Sequence, residues 1–126
     1  MSTTNSRINN NLGIRTGFTD HLLSFPHNYT IATQSSGTFS VSPKSYLETY
    51  NLTTGLTGNL YININATASY VGDKVEIFVG TTGSYSVIAD TTSNVNFTTL
   101  ALNNKSGYIS LTFNGTEFIQ AFTALS

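Results

Sequence analysis

From Gly37 onward the chain alternates between apolar and polar residues. In "NLYININ" (59–65), Leu60, Ile62 and Ile64 share one face, and Asn59, Tyr61, Asn63 and Asn65 share the other. In "DKVEIFVG" (73–80), Val75, Ile77 and Val79 point one way, with Lys74 and Glu76 opposite. "TFSVS" (38–42), "SYSVIAD" (84–90), "NVNFTTLAL" (94–102), "GYISLTF" (107–113) and "TEFIQAF" (116–122) continue the series. A period of two places alternate side chains on opposite faces of a strand, so each stretch reads as a strand with one face buried. The turn clusters "VGD", "GTTG", "DTTSN", "NNKSG" and "NG" separate the strands at intervals of about 10 residues, the spacing of a sandwich or barrel. The expected fold class is all-β: an antiparallel, jelly-roll-like β-sandwich of roughly seven or eight strands.

Composition supports a β chain and narrows its chemistry. Only 9% of the residues are charged, against about 25% in ordinary domains. Thr, Ser and Asn number 21, 15 and 14 and supply the polarity instead. Thr fits a pleated surface, while Ser and Asn bond nearby backbone in turns. At 126 residues, a single domain buries roughly two-thirds of the surface its unfolded chain exposes, so the core can be sizeable. The chain has no cysteine, which excludes disulfides, thiol chemistry and cysteine zinc sites. The five basic residues, Arg7, Arg15, Lys44, Lys74 and Lys105, are scattered and the net charge is −1. No basic patch is available for phosphates, and no nucleic-acid partner is expected. No run approaches the 18 or so apolar residues of a membrane span, and "MSTTNSRINNNLG" lacks the apolar core of a signal peptide. No membrane partner is expected. Asn-x-Ser/Thr triplets begin at Asn28, Asn51, Asn65, Asn96, Asn104 and Asn114; with so much Asn, Ser and Thr, chance alone gives about 4, so they carry no glycosylation reading.

Residues 1–37 show neither period. Ile8, Leu12, Ile14 and Phe18 stand singly among polar runs, and "TDHLLSF" (19–25) suits one helical turn stopped by Pro26. We read residues 1–37 as an extended N-terminal arm and 38–126 as the β-sandwich domain.

The closing stretch "YISLTFNGTEFIQAF" (108–122) contains Asn114-Gly115, a strong hairpin signal. A two-residue type I′ loop needs positive φ at both positions. It sets Phe113 opposite Thr116, Leu111 opposite Phe118 and Ile109 opposite Gln120, with Ser110 opposite Ile119 and Tyr108 opposite Ala121. Both faces then carry apolar groups, which asks for a packing layer on each side. A subunit interface through Tyr108, Ile119, Phe122 and Leu125 follows as an expectation.

Catalytic signals are weak. His21 and His27 are six apart, off the usual zinc spacing, and Asp20 precedes His21 on the opposite side of an extended chain. Of the carboxylates Asp20, Glu48, Asp73, Glu76, Asp90 and Glu117, Asp73 and Asp90 sit in turn clusters, where Asp is common for structural reasons. Asp73 and Glu76 are three apart and project to opposite faces of a strand. "GTTGS" (80–84) lacks the lysine and helix of a phosphate cradle. The seven tyrosines suit packing and interfaces as well as a sugar platform. No enzyme activity, catalytic residue, metal or cofactor is expected.

Two stretches resemble bacteriophage virion proteins. "GNLYININATASYVGDKVEIFV" (58–79) is similar to their strand, small-residue link, "GD" turn and apolar strand. "NKSGYISLTFNGTEFI" (104–119) is similar to their closing unit, with Phe118 where that unit usually has Trp. The resemblance covers about half of the chain. It implies a β-sandwich module of a head decoration (cement) protein on the capsid exterior, a homotrimer that binds and stabilises the major capsid protein shell. It also allows a tail fibre or spike tip that binds a host receptor or glycan. Under the cement reading, Arg7, Ile8, Leu12, Ile14, Arg15 and Phe18 of the arm contact the capsid, the arginines pairing with capsid carboxylates.

Overall fold

The computed structural model describes residues 26–126. Ten strands follow one another: β1 (His27–Ala32), β2 (Gly37–Val41), β3 (Leu47–Leu52), β4 (Leu60–Ile64), β5 (Lys74–Gly80), β6 (Ser86–Ala89), β7 (Val95–Asn96), β8 (Leu100–Ala101), β9 (Ser106–Phe113) and β10 (Phe118–Leu125). The stretches whose alternation marked them as strands contain strands, with Leu60, Ile62, Ile64, Val75, Ile77 and Val79 buried on the inner side, but 94–102 is not one strand: it divides into β7 and β8, two residues each and in different sheets.

Their pairing overturns the antiparallel, jelly-roll-like sandwich. From β1 to β9 successive strands do not pair; they alternate between two sheets, ordered β1-β3-β5-β9-β10-β7 and β2-β4-β6-β8. β1, β3 and β5 are parallel, as are β2, β4 and β6. The chain therefore winds as a β-solenoid. His27 lies beside Leu47 and Leu47 beside Lys74, so two coils take 20 and 27 residues. Turn clusters that looked like hairpin reversals instead carry the chain across from one sheet to the other. An alternating pattern reports one buried face, and in a solenoid a parallel strand also has one buried face. The period was right and the pairing direction inferred from it was not.

Inward-facing residues line up in rows across the strands. In the four-stranded sheet Phe39, Ile62 and Ala89 form one inner row. In the six-stranded sheet Tyr50, Ile77 and Ile109 form another. Such rows fill the space between the sheets, and Ile62, Ile77 and Ile109 are fully buried. The links stack as well: the Thr57 N–H donates to the Ser35 carbonyl (2.9 Å), and that of Leu56 to the Gly80 carbonyl (2.8 Å). The Thr81 hydroxyl then donates to the Leu56 carbonyl (2.8 Å). Backbone groups that a turn would leave unpaired are satisfied by the neighbouring coil.

Among the described residues antiparallel pairing appears only where the winding ends. β9 runs against β5, β10 against β9, and β8 against β6. The β9–β10 hairpin exists, but its register is Phe113 opposite Phe118 and Leu111 opposite Gln120. The loop is thus residues 114–117 and not a two-residue type I′ turn. Gly115 has φ +104°, while the only non-glycine residues with positive φ among those described are Asn103 and Asn104. The Asn114 side chain sets this geometry: its Oδ1 accepts the N–H groups of Thr116 and Glu117, each at 2.9 Å. The shift relative to the expected register is two residues, so side chains keep their faces. Phe118 is fully buried against Phe113, with ring centroids 5.1 Å apart.

Candidate binding face

Because Val75, Ile77 and Val79 point inward, the residues between them form the outer face of the six-stranded sheet. Register aligns three rows across β1, β3, β5, β9 and β10. One is His27, Leu47, Lys74, Thr112 and Ile119; the next is Tyr29, Thr49, Glu76, Ser110 and Phe122; the third is Ile31, Asn51, Phe78, Tyr108 and Ala124. A bulge between Gln120 and Phe122 puts Phe122, and not Ala121, on this face.

A chain of hydrogen bonds crosses the middle. The Thr49 hydroxyl donates to Glu76 Oε1 (2.9 Å), and the Tyr108 hydroxyl donates to Glu76 Oε2 (2.7 Å). His27 Nε2 lies 2.9 Å from Thr49 Oγ1. Thr49 has one proton and gives it to Glu76, so His27 Nε2 must be the protonated, donating nitrogen. Burial, followed by the hydrogen bond to Glu76, holds the Tyr108 phenol above its usual pKa, partly offset by Ser110. Asn51 Nδ2 donates to the Tyr29 phenol oxygen (2.9 Å). The histidine, hydroxyl and carboxylate resemble a relay, but Thr49 is buried and its proton faces the acid. It is held as a strut between strands and not presented as a nucleophile.

Apolar groups border this polar strip. Tyr29, Ile31 and Phe122 are 56%, 66% and 58% exposed, and Phe78 and Ile119 are also open to solvent. Phe78 and Tyr108 have ring centroids 4.9 Å apart, and Tyr108 and Phe122 6.2 Å apart. Beside Phe78, at the ends of β3 and β5, lies a cleft of about 390 Å³ bounded by Asn51, Thr53, Gly80 and Ser106. A smaller one of about 180 Å³ adjoins it between Phe78, Tyr108 and Leu125.

Of the residues expected at a subunit interface, Tyr108, Ile119 and Phe122 lie on this outer face. Leu125 pairs with Gly107 on the inner side, at the sheet's end, and is exposed. The capsid-contact set Arg7, Ile8, Leu12, Ile14, Arg15 and Phe18 lies outside the described residues, as do Asp20 and His21. The described carboxylates do not converge. Glu48 is buried, and its Oε2 accepts the N–H groups of Lys44 (2.6 Å) and Ser45 (3.0 Å), while Oε1 accepts the Tyr50 hydroxyl (2.5 Å). It pins the link into β3. Asp73 and Asp90 sit in turns; the Asp73 carboxylate accepts the Tyr70 N–H (2.9 Å). The Thr92 hydroxyl and then the Asn63 amide hold the Asp90 carboxyl below its usual pKa. Among the described residues no group of three or more acidic or histidine side chains is placed to hold a metal. Sequence reasoning missed Tyr29, Ile31 and Phe78 as surface groups. The alternation in "DKVEIFVG" does put Phe78 outward with Lys74 and Glu76, so that signal was present.

No family model, curated protein or solved structure matches the chain.

Proposed function

We propose that the chain is a structural assembly protein that docks through the outer face of its six-stranded sheet, and that its setting is a phage virion, as a decoration protein on the capsid exterior bound to the major capsid protein. The observation that carries the docking reading is the exposed set of Tyr29, Ile31, Phe78, Ile119 and Phe122 around a polar strip whose carboxylate is already hydrogen-bonded. Exposed aromatic groups beside satisfied polar ones lose little on desolvation and supply most of an interface's energy. Low charge lets many copies sit close together, and repetition over a shell multiplies a weak contact. The virion setting rests on the sequence rhythm of 58–79 and 104–119 alone, because the fold which that resemblance implied is not the one the chain adopts. Antibody labelling of intact virions tests it: label over the shell supports the reading, and unlabelled particles reject it. A second reading, a glycan- or receptor-binding tail tip, is favoured by the cleft that Phe78 lines together with Asn51, Thr53 and Ser106. Label confined to the tail tip, with glycan binding lost in Phe78→Ala, would support that alternative.

A further inference from the structure

The two ends of the solenoid are built differently. At the far end, β7 and β8 have two residues each, and β10 carries a bulge. Short strands and bulges are devices by which proteins blunt a sheet edge. At the near end neither device is present. Among the described residues β1 pairs only with β3 and β2 only with β4, so one coil presents an edge of each sheet. Residues 26–43 contain no Asp, Glu, Lys or Arg.

The backbone polarity of these edges can be read from their ladders. The Pro26 and Ala32 carbonyls accept from Leu47 and Thr53, so the even-numbered residues of β1 face β3. By alternation His27, Tyr29 and Ile31 aim their N–H and C=O groups away from the sheet. In β2, Gly37 donates to Asn59 and Val41 accepts from Asn65, so Thr38 and Ser40 are the outward pair; the Thr38 carbonyl already accepts from Gln34 Nε2 (2.7 Å), which leaves the Thr38 N–H and both Ser40 groups for a second strand.

We infer that this end is a self-association surface, where β1 pairs with β1 and β2 with β2 of a second copy about one two-fold axis perpendicular to the sheets. An occupant must offer two strands at the separation of the two sheets, and an identical first coil has that separation. Antiparallel pairing about a two-fold is self-complementary, so both copies satisfy their edges and the assembly closes as a dimer. Head-to-tail stacking would instead ask β1 and β2, of six and five residues, to pair with two-residue strands. No charged side chain lies on β1, β2 or the link between them to repel the second copy. The axis leaves both outer faces of the six-stranded sheets on one side, so dimerisation doubles the docking face proposed above without depending on it.

The test is the mass of the full chain by light scattering and sedimentation equilibrium, beside Ile31→Pro and Thr38→Lys. The Ile31 N–H takes no part in the β1–β3 ladder, so proline removes an outward donor and leaves the intrachain bonds. We expect twice the 13.6 kDa chain mass for the parent and the single-chain mass for both variants, with unchanged circular dichroism. A monomeric parent overturns the inference, as does a trimer, or a dimer that survives both substitutions. Hydrogen exchange adds a second readout: slow exchange of the Tyr29 and Ile31 amides in a monomeric parent would mean that residues 1–25 cover the edge, which also overturns it.

Discussion

Replacing Gly107 by alanine puts a methyl group where two leucine side chains already stand. Gly107 lies on the inner side of β9, opposite Val79 of β5 and Leu125 of β10. A Cβ there would come within 2.6 Å of Leu102 Cδ2 and 2.9 Å of Leu100 Cδ2. Leu102 is fully buried, while Leu100 is only partly so and has room to turn away. The Gly107 φ is not in the left-handed region, so alanine meets no backbone strain and gains about 0.4–1 kcal/mol by restricting the unfolded chain. Overpacking costs about 1–3 kcal/mol and wins. With a urea m-value of about 1–3 kcal/mol per molar, a cost near 2 kcal/mol lowers the unfolding midpoint by roughly 1 M. Far-UV circular dichroism reads it, as does tyrosine fluorescence in a chain without tryptophan. Leu102→Ala alone should cost about 2–5 kcal/mol through its cavity. In Gly107→Ala/Leu102→Ala the new methyl occupies part of that cavity, so the double variant should be more stable than the sum of the singles by about 1 kcal/mol or more. Costs that add to within about 0.5 kcal/mol would refute the contact.

Phe118→Ala should cost about 3–5 kcal/mol by urea unfolding, because a fully buried ring packed against Phe113 leaves a cavity that the hairpin cannot close. Tyr50→Phe should cost about 1.5–3 kcal/mol by removing a donor to the buried Glu48 carboxylate. Burial, then the hydrogen bond and charge of Glu48, push the Tyr50 phenol well above its ordinary value. The unfolded chain therefore releases that proton first, so this stabilisation is complete below pH of about 10 and falls as pH rises further. A urea midpoint followed from pH 8 upward should drop above 10, and less steeply in Tyr50→Phe. Asn114→Ala should cost about 1 kcal/mol, since one side-chain oxygen holds two loop N–H groups. Phe122→Ser, at an exposed position, should leave the midpoint within about 0.5 kcal/mol while weakening docking to whichever partner the outer face meets.

What was legible in the sequence follows from what a single strand encodes by itself. Alternation in 59–65 and 73–80 named the buried residues, because facing is a local property of a pleated chain. Neighbour identity is not local. Leu60 meets Gly37 and Val87 in the structure, and nothing in "NLYININ" distinguishes those partners from a hairpin neighbour. Coils of 20 and 27 residues are too unequal to show as a repeat in the sequence. The hairpin turn misled for a related reason: Asn114-Gly115 permits a type I′ loop, but the Asn114 side chain captures two N–H groups and lengthens it. On the candidate face, Tyr108, Ile119 and Phe122 were visible as the outward set of the hairpin. Tyr29 and Ile31 were not, because they lie in a stretch without a sustained period and become surface groups only by pairing with β3.

The winding itself is open to a direct chemical measurement, because the chain has no cysteine of its own. Ser40 and Asn63 are outward-facing partners on the parallel strands β2 and β4, within the separation of about 4.4–6.8 Å between Cα atoms that a disulfide spans. Thr38 and Asn51 face outward from different sheets, on opposite sides of the molecule. Under mild oxidation, Ser40→Cys/Asn63→Cys should close an intramolecular disulfide, seen as a mobility shift without reductant, and Thr38→Cys/Asn51→Cys should stay reduced. Ready closure of the Thr38–Asn51 pair, with none at 40 and 63, would mean that β2 pairs with β3 as a hairpin, and the solenoid would be wrong.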